Sequence, residues 1–292
     1  LGEVEPREDE ASSKNANQRA AAFTRDSSVV LSIERVSLRF SFVALAAAFA
    51  LTAAPALAGP PYQTDDPDPT DYRHFEMYIF TTYENDIAPV RRVGANLPSL
   101  EVNYGLMPNV QFSVDVPFAE SRPAGGPVAL GYDDTTVGVK VRFLQEGPGT
   151  PQVSFYPSVE IPTGNPSAAI GSAQPKTFFP LWGQKTNGSW TYFGGGGVWH
   201  NPGVDNRDYT FTGFAATDQV HAGLSLGAEV YHQTADTVTD FGSTSFGLGF
   251  VQNRGDHHAI LASFGRAFGR SPSFYGYAAY EMYLGPQGTP GL

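Results

Sequence analysis

Strict alternation of apolar and polar side chains, repeated segment after segment, constrains this chain more than any other feature. From Leu97 to Tyr104, Pro98, Leu100, Val102 and Tyr104 alternate with Ser99, Glu101 and Asn103. From Val110 to Phe118, Val110, Phe112, Val114 and Val116 enclose Gln111, Ser113 and Asp115. Thr135 to Phe143 sets Val137, Val139, Val141 and Phe143 against Thr136, Gly138, Lys140 and Arg142. Pro151 to Ile161 sets Val153, Phe155, Val159 and Ile161 against Gln152, Ser154, Ser158 and Glu160. Successive side chains of a strand point to opposite faces, so each segment has one greasy and one polar face. No segment beyond residue 58 carries a comparable 3.6-residue stripe. With 32 Gly, 21 Phe and 14 Tyr but only 16% charged residues, the composition also suits many short strands.

Counting onward predicts about twelve strands. The first covers residues 74–84, the four above follow, and the rest cover 177–185, 190–200, 209–217, 220–234, 243–252, 257–268 and 273–284. Connections after even-numbered strands are short, at 105–109, 145–150, 186–189, 218–219 and 253–256. Those after odd-numbered strands are longer, at 85–95, 119–134, 162–176, 201–208 and 235–242, with 269–272 as the exception. Short turns at one end and long loops at the other are the layout of Gram-negative outer-membrane barrels, with both termini on the periplasmic side. A soluble sandwich or lipocalin-like barrel would bury the apolar face instead. Segments of about nine to eleven residues match a bilayer crossing. Tyr104, Phe118, Phe143, Phe178, Trp182, Trp190, Trp199, Tyr209 and Tyr283 lie near strand ends and read as interfacial girdles. The expected fold is an all-β, antiparallel transmembrane β-barrel with short periplasmic turns, longer extracellular loops and outer-membrane lipid around it.

Residues 36–58 read as a cleavable signal peptide. Arg39 is basic, residues 40–54 are apolar, and Ala56-Leu57-Ala58 is a small-x-small cleavage site. The apolar run is shorter than the ~20 residues that a spanning helix needs. Residues 1–35 are polar, and a start at Val36 would leave them out of the native protein as an upstream extension. Residues 59–292 then form the exported barrel domain.

With no cysteine, the chain has no disulfide framework, thiolate metal site or cysteine nucleophile. Its 29 acidic against 18 basic residues exclude a basic nucleic-acid footprint. No cofactor motif or nucleotide loop occurs, and Gly194–Gly197 read as small residues making room in a strand. Asp65, Asp66, Asp68 and Asp71 lack the ligand spacing and turn glycine of a calcium loop and read as turn chemistry, with no metal. None of the six histidines begins a His-x-Ser pair, so the chain does not read as an enzyme, a lipid hydrolase in particular.

Pro60 to Glu76, PPYQTDDPDPTDYRHFE, resembles the opening of mature outer-membrane transporters associated with the phenol meta-cleavage degradation pathway. Gly131 to Phe143, GYDDTTVGVKVRF, and the Pro162-Thr163-Gly164 loop followed by Ile170-Gly171 are similar to the same family. The likeness runs from about Pro60 to Leu284, and its motif residues are Asp65, Asp66, Pro67, Gly131, Asp133, Pro162, Thr163 and Gly164. It implies a porin-like transporter linked to aromatic compound degradation. It also implies recognition by the barrel assembly machinery, here through Tyr280–Leu284.

The polar faces direct Glu101, Asp115, Lys140, Arg142 and Glu160 toward the lumen on consecutive strands. Counted from their turns, Glu101, Asp115, Lys140 and Arg142 are expected at one depth, paired as a stiffening network or a charge-selective eyelet. Glu229 and Glu281 are expected on the opposite wall. The function expected is passive movement of small permeants, aromatic or hydrophobic ones among them. A structural or adhesive barrel without transport is the alternative.

Overall fold

The computed structural model describes residues 60–86, 93–122, 127–270 and 272–286. The expected extension and signal peptide lie outside the described residues. Fifteen strands form one sheet: β1 (Phe75–Asp86), β2 (Val93–Met107), β3 (Val110–Val116), β4 (Phe118–Arg122), β5 (Ala129–Tyr132), β6 (Thr135–Leu144), β7 (Gln152–Phe155) and β8 (Ser158–Ile161). They continue as β9 (Lys176–Asn187), β10 (Trp190–His200), β11 (Tyr209–His221), β12 (Leu224–Gln233), β13 (Ser243–Asn253), β14 (His258–Gly269) and β15 (Ser273–Leu284).

Three interruptions divide what are otherwise continuous staves. Pro117 separates β3 from β4, Asp133-Asp134 separates β5 from β6, and Tyr156-Pro157 separates β7 from β8. Proline lacks the N–H that a ladder needs, so pairing lapses at Pro117 and Pro157. Their carbonyls still accept across the gap, from Asp133 N–H at 2.9 Å and Val139 N–H at 3.1 Å. Joining each broken pair leaves twelve staves, each antiparallel to its neighbours. β1 pairs with β15 from Phe75↔Leu284 to Asp86↔Ser273 without a register shift, which closes the barrel.

The faces are inverted relative to a soluble protein. Inward Ser99 and Ser154 are 1% and 0% exposed, whereas outward Phe264 and Phe179 are 68% and 52% exposed. Apolar side chains facing outward around a closed barrel are what lipid requires, and a sandwich or lipocalin would show the reverse.

Two local expectations are corrected. The turn expected at 218–219 lies at Ala222-Gly223, because β11 runs on to His221 through a bulge between Gln219 and His221 that breaks the alternation. Gly223 takes φ +76° there, a backbone conformation that side chains disfavour. Much of the expected 119–134 loop is strand, with β4 paired to β5 from Phe118↔Tyr132 onward.

The girdle reading is also corrected in part. Trp190 and Phe143 face outward, but Phe178, Trp182, Trp199 and Tyr283 line the lumen, and Tyr209 stacks on Trp199 at 5.8 Å. Proximity to a strand end sets depth, whereas parity along the strand sets the face. Outward Val114→Arg should destabilise the barrel by about 2–4 kcal/mol in a urea titration in bilayers, while Tyr132→Arg at the rim should cost about 0–1.

Candidate functional site in the barrel lumen

The segment before β1 runs through the lumen as a plug. Pro61 O accepts from Ser263 Oγ on β14 at 2.6 Å. The N–H groups of Gln63 and Thr64 donate to Glu229 Oε2 on β12 at 3.0 and 3.1 Å, and Tyr275 Oη donates to Glu229 Oε1 at 3.2 Å. A chain segment without its own secondary structure needs such partners for its buried backbone groups. Tyr62 packs on Phe193 and reaches over Gly227, while Thr64 sits against Gly213. A Cβ on either glycine would collide with those plug side chains, so both positions need glycine for close approach.

The acidic run meets the inward cations. Lys140 Nζ lies 3.2 Å from Asp65 Oδ1 and 3.9 Å from Asp66 Oδ1. Arg142 Nη1 pairs with Asp68 Oδ1 and donates to Gln152 Oε1 at 2.9 Å, while Nε and Nη2 hold Asn109 Oδ1 at 2.9 and 2.8 Å. Asp65 and Asp66 also accept backbone N–H groups within the run, as turn chemistry requires. Thr70 N–H and hydroxyl donate to Gln111 Oε1 at 2.7 and 3.0 Å, and Tyr283 Oη donates to Asp71 Oδ2 at 2.8 Å.

The expected pairing of Glu101 and Asp115 with Lys140 and Arg142 is therefore wrong. Glu101 lies opposite Asp115, which lies opposite Thr136, whereas Lys140 lies opposite Gln111. Strands of a closed barrel are staggered by its shear, so equal distance from separate turns does not mean equal depth. Glu281 is not across the lumen either, because it and Glu101 both stand opposite Tyr78. Glu160 pairs with Lys176 at 2.6 Å. The plug was missed as a partner, although an acidic, non-alternating stretch just before the first strand was visible.

The other motif residues meet at the loop end of the barrel. Thr163 Oγ1 donates to Asp133 O at 2.9 Å and accepts Thr135 N–H at 2.9 Å. Asp134 Oδ1 accepts Gly164 N–H at 3.0 Å, and Oδ2 accepts Ser172 N–H and hydroxyl at 2.5 Å each. Pro162 follows β8, and a Cβ on Gly131 of β5 would lie 3.7 Å from the Ile170 side chain, an ordinary contact. Gly171, at φ +74°, lies against Asp134 where a side chain would not fit.

Burial resists ionisation of Asp134, but these donors and Lys176 outweigh it and hold its carboxyl below the usual range. The resulting stabilisation is complete above the unfolded value and lost as pH falls through the lower folded value. Asp134→Asn should thus speed hydrogen exchange in residues 162–174 at neutral pH. Acidification below the carboxylate range should loosen the same loop in the wild type and add little in the variant.

Beside the plug lies a cavity of about 790 Å³. Its lining includes Glu101, Asn103 and Asp115 together with Tyr156, Phe178 and Trp199. The Phe178 and Trp199 rings stack at 4.6 Å with planes 7° apart. Breaking a buried ion pair from one side costs about 3–5 kcal/mol. Lys140→Ala should accordingly loosen the plug, and Asp65→Ala added to it should recover part of the loss. Because the chain has no cysteine, the rate of thiol labelling at a single exposed Gln63→Cys reads this directly.

No protein-family model matches the chain, and no curated protein matches it. Solved structures share its fold. The COG4313 outer membrane channel from Pseudomonas putida F1 superimposes with TM-score 0.60 at 13% identity, over 78% of this chain and 100% of that one. The translocator domain of the autotransporter NalP from Neisseria meningitidis gives TM-score 0.50 at 11% identity, over 73% of this chain and 90% of that one. This protein thus has the closed antiparallel β-barrel fold of outer-membrane proteins.

Proposed function

We propose that the chain is an outer-membrane channel through which small compounds, aromatic or hydrophobic ones among them, move down their gradients. The observation that carries this reading is the lumenal cavity of about 790 Å³, walled partly by stacked rings inside a lipid-facing barrel. Apolar and aromatic walls with a few placed polar groups are the usual makeup of a small-molecule site. The likeness in fold to an outer membrane channel supports the same reading. The sequence resemblance to phenol meta-cleavage transporters makes phenolic rings the first permeants to test. In this reading the assembly machinery takes the chain by β15, which closes on β1.

A structural barrel without transport is favoured by one observation, the dense bonding of the plug to the wall through Glu229, Lys140 and Arg142. Flux into liposomes decides between them. The purified barrel should pass phenol and benzoate faster than protein-free liposomes do, and Lys140→Ala should raise the rate by loosening the plug. Flux equal to that of protein-free liposomes for both the wild type and the variant would leave the structural reading standing.

A further inference from the structure

Arg266 is a cation on the lipid-facing side of the wall. Along β14 it shares the outward parity of Phe264 and Phe268, and like them it is exposed. Phe246 on β13 and Phe274 on β15 stand opposite it on either side. Among the described residues Arg266 forms no ion pair and no side-chain hydrogen bond. Its guanidinium carbon lies instead 5.2 Å from the Phe274 ring centroid and 5.3 Å from that of Phe268. Phe268 is two residues nearer the loop end, so the side chain leans out of the hydrocarbon toward the headgroups.

A second cation continues the patch. Arg270, just past the end of β14, is exposed and holds its guanidinium carbon 4.7 Å from the Phe241 centroid. Four residues part the two arginines, about 13 Å of extended chain, and their long side chains can shorten that span. In the row between them Thr244 stands opposite Phe268 and His232 opposite Thr244, both exposed on the outward side. His232 Nδ1 and Thr244 Oγ1 lie 2.9 Å apart.

Acidic groups at this end do not balance the charge. Glu84 and Asp86 on β1 have the inward parity, and Glu84 accepts from Ser273 Oγ on the lumen side at 3.2 Å. Asp240, beside Phe241, forms no ion pair with either arginine among the described residues. Arg122 is different. It shares the outward parity of Phe118 on β4 at the same end of the barrel, but it is already paired with Glu120.

A guanidinium facing lipid is tolerated near an interface and is favourable where an anion meets it. The loop end is the extracellular end, so the anions at that depth are the phosphates of the outer-leaflet glycolipid. The planar fork of arginine matches a phosphate with two parallel bonds.

We propose that the outer face of β13 to β15 binds one phosphorylated glycolipid of the outer leaflet. Arg266 and Arg270 hold its phosphates, Thr244 and His232 meet the sugar beside them, and Phe246 and Phe264 lie along its acyl chains. The site is on the outside of the wall and stands whether or not the lumen conducts.

Native mass spectrometry of the full barrel in detergent, titrated with diphosphorylated lipid A, reads the binding directly. One lipid should bind saturably. Lipid A stripped of its phosphates, and phosphatidylglycerol, should each bind about tenfold more weakly or worse, the size expected of a charge-assisted hydrogen bond. Arg266→Gln combined with Arg270→Gln should lower lipid A affinity by a similar factor, whereas Arg122→Gln should leave it unchanged. Inorganic phosphate in excess should not displace the lipid, because the phenylalanine face holds the acyl chains. Equal binding of the stripped lipid or of phosphatidylglycerol, displacement by inorganic phosphate, or undiminished binding by the double variant would each overturn the proposal. So would an equal loss in Arg122→Gln. Heat-dependent gel migration reports whether each variant is folded. If the double variant is not, the comparison of the two lipid A forms on the wild-type barrel decides alone.

Discussion

Everything in this barrel depends on the pairing of its first strand with its last. Twelve residues of β1 meet β15 in unbroken register, and that seam gives the two edge strands partners for their backbone N–H and C=O groups. Lipid offers no substitute hydrogen bonds, so an open edge there would carry several kcal/mol for each unmade bond. Closure also sets the width of the lumen. Eight strands leave room only for side chains and sixteen leave a water-filled channel. Twelve staves fall between, with space for one extended peptide and a cavity beside it.

The plug sits in that space by two different kinds of contact. Against β11 to β13 it is shape joined to backbone hydrogen bonding, with Tyr62 and Thr64 approaching the wall where Gly227 and Gly213 leave it bare and Glu229 accepting the Gln63 and Thr64 N–H groups. Against β6 it is a matter of charge, with Asp65, Asp66 and Asp68 facing Lys140 and Arg142. Buried ion pairs add little net stability when whole but cost much when broken, so they specify position better than they strengthen it. Shape and the Glu229 acceptor hold the first half of the plug, and ion pairs set the register of the second.

What could be read from the sequence follows from how local each property is. Parity is local, so alternation in Val110–Val116 and Thr135–Leu144 was enough to direct Asp115, Lys140 and Arg142 inward and Val114 and Val139 outward. Depth is not local. It depends on the stagger of the closed sheet, which is why Lys140 stands level with Gln111 rather than Asp115. The aromatic residues fail for a related reason, because Trp182, in the middle of β9, and Trp190, at the start of β10, face opposite sides of the wall. The plug has no period to detect, and its main backbone partner, Glu229, is 165 residues away from Thr64. The Asp134 junction was legible only as two separate motifs, since the bond from Gly164 N–H to Asp134 Oδ1 joins positions 30 residues apart.

Lys140 links the plug to the cavity. Its ammonium group lies 3.2 Å from Asp65 on the plug and 5.0 Å from the centroid of Tyr156 on the wall. Tyr156 occupies the break between β7 and β8, where Pro157 has removed a ladder bond, while its own N–H donates to Pro180 O at 3.3 Å. Asp65 thus sets the field on Lys140, which in turn lies over the Tyr156 ring. The charge pairs that set the register of the plug therefore also stand at the wall of the cavity, joined to it through a single buried ammonium.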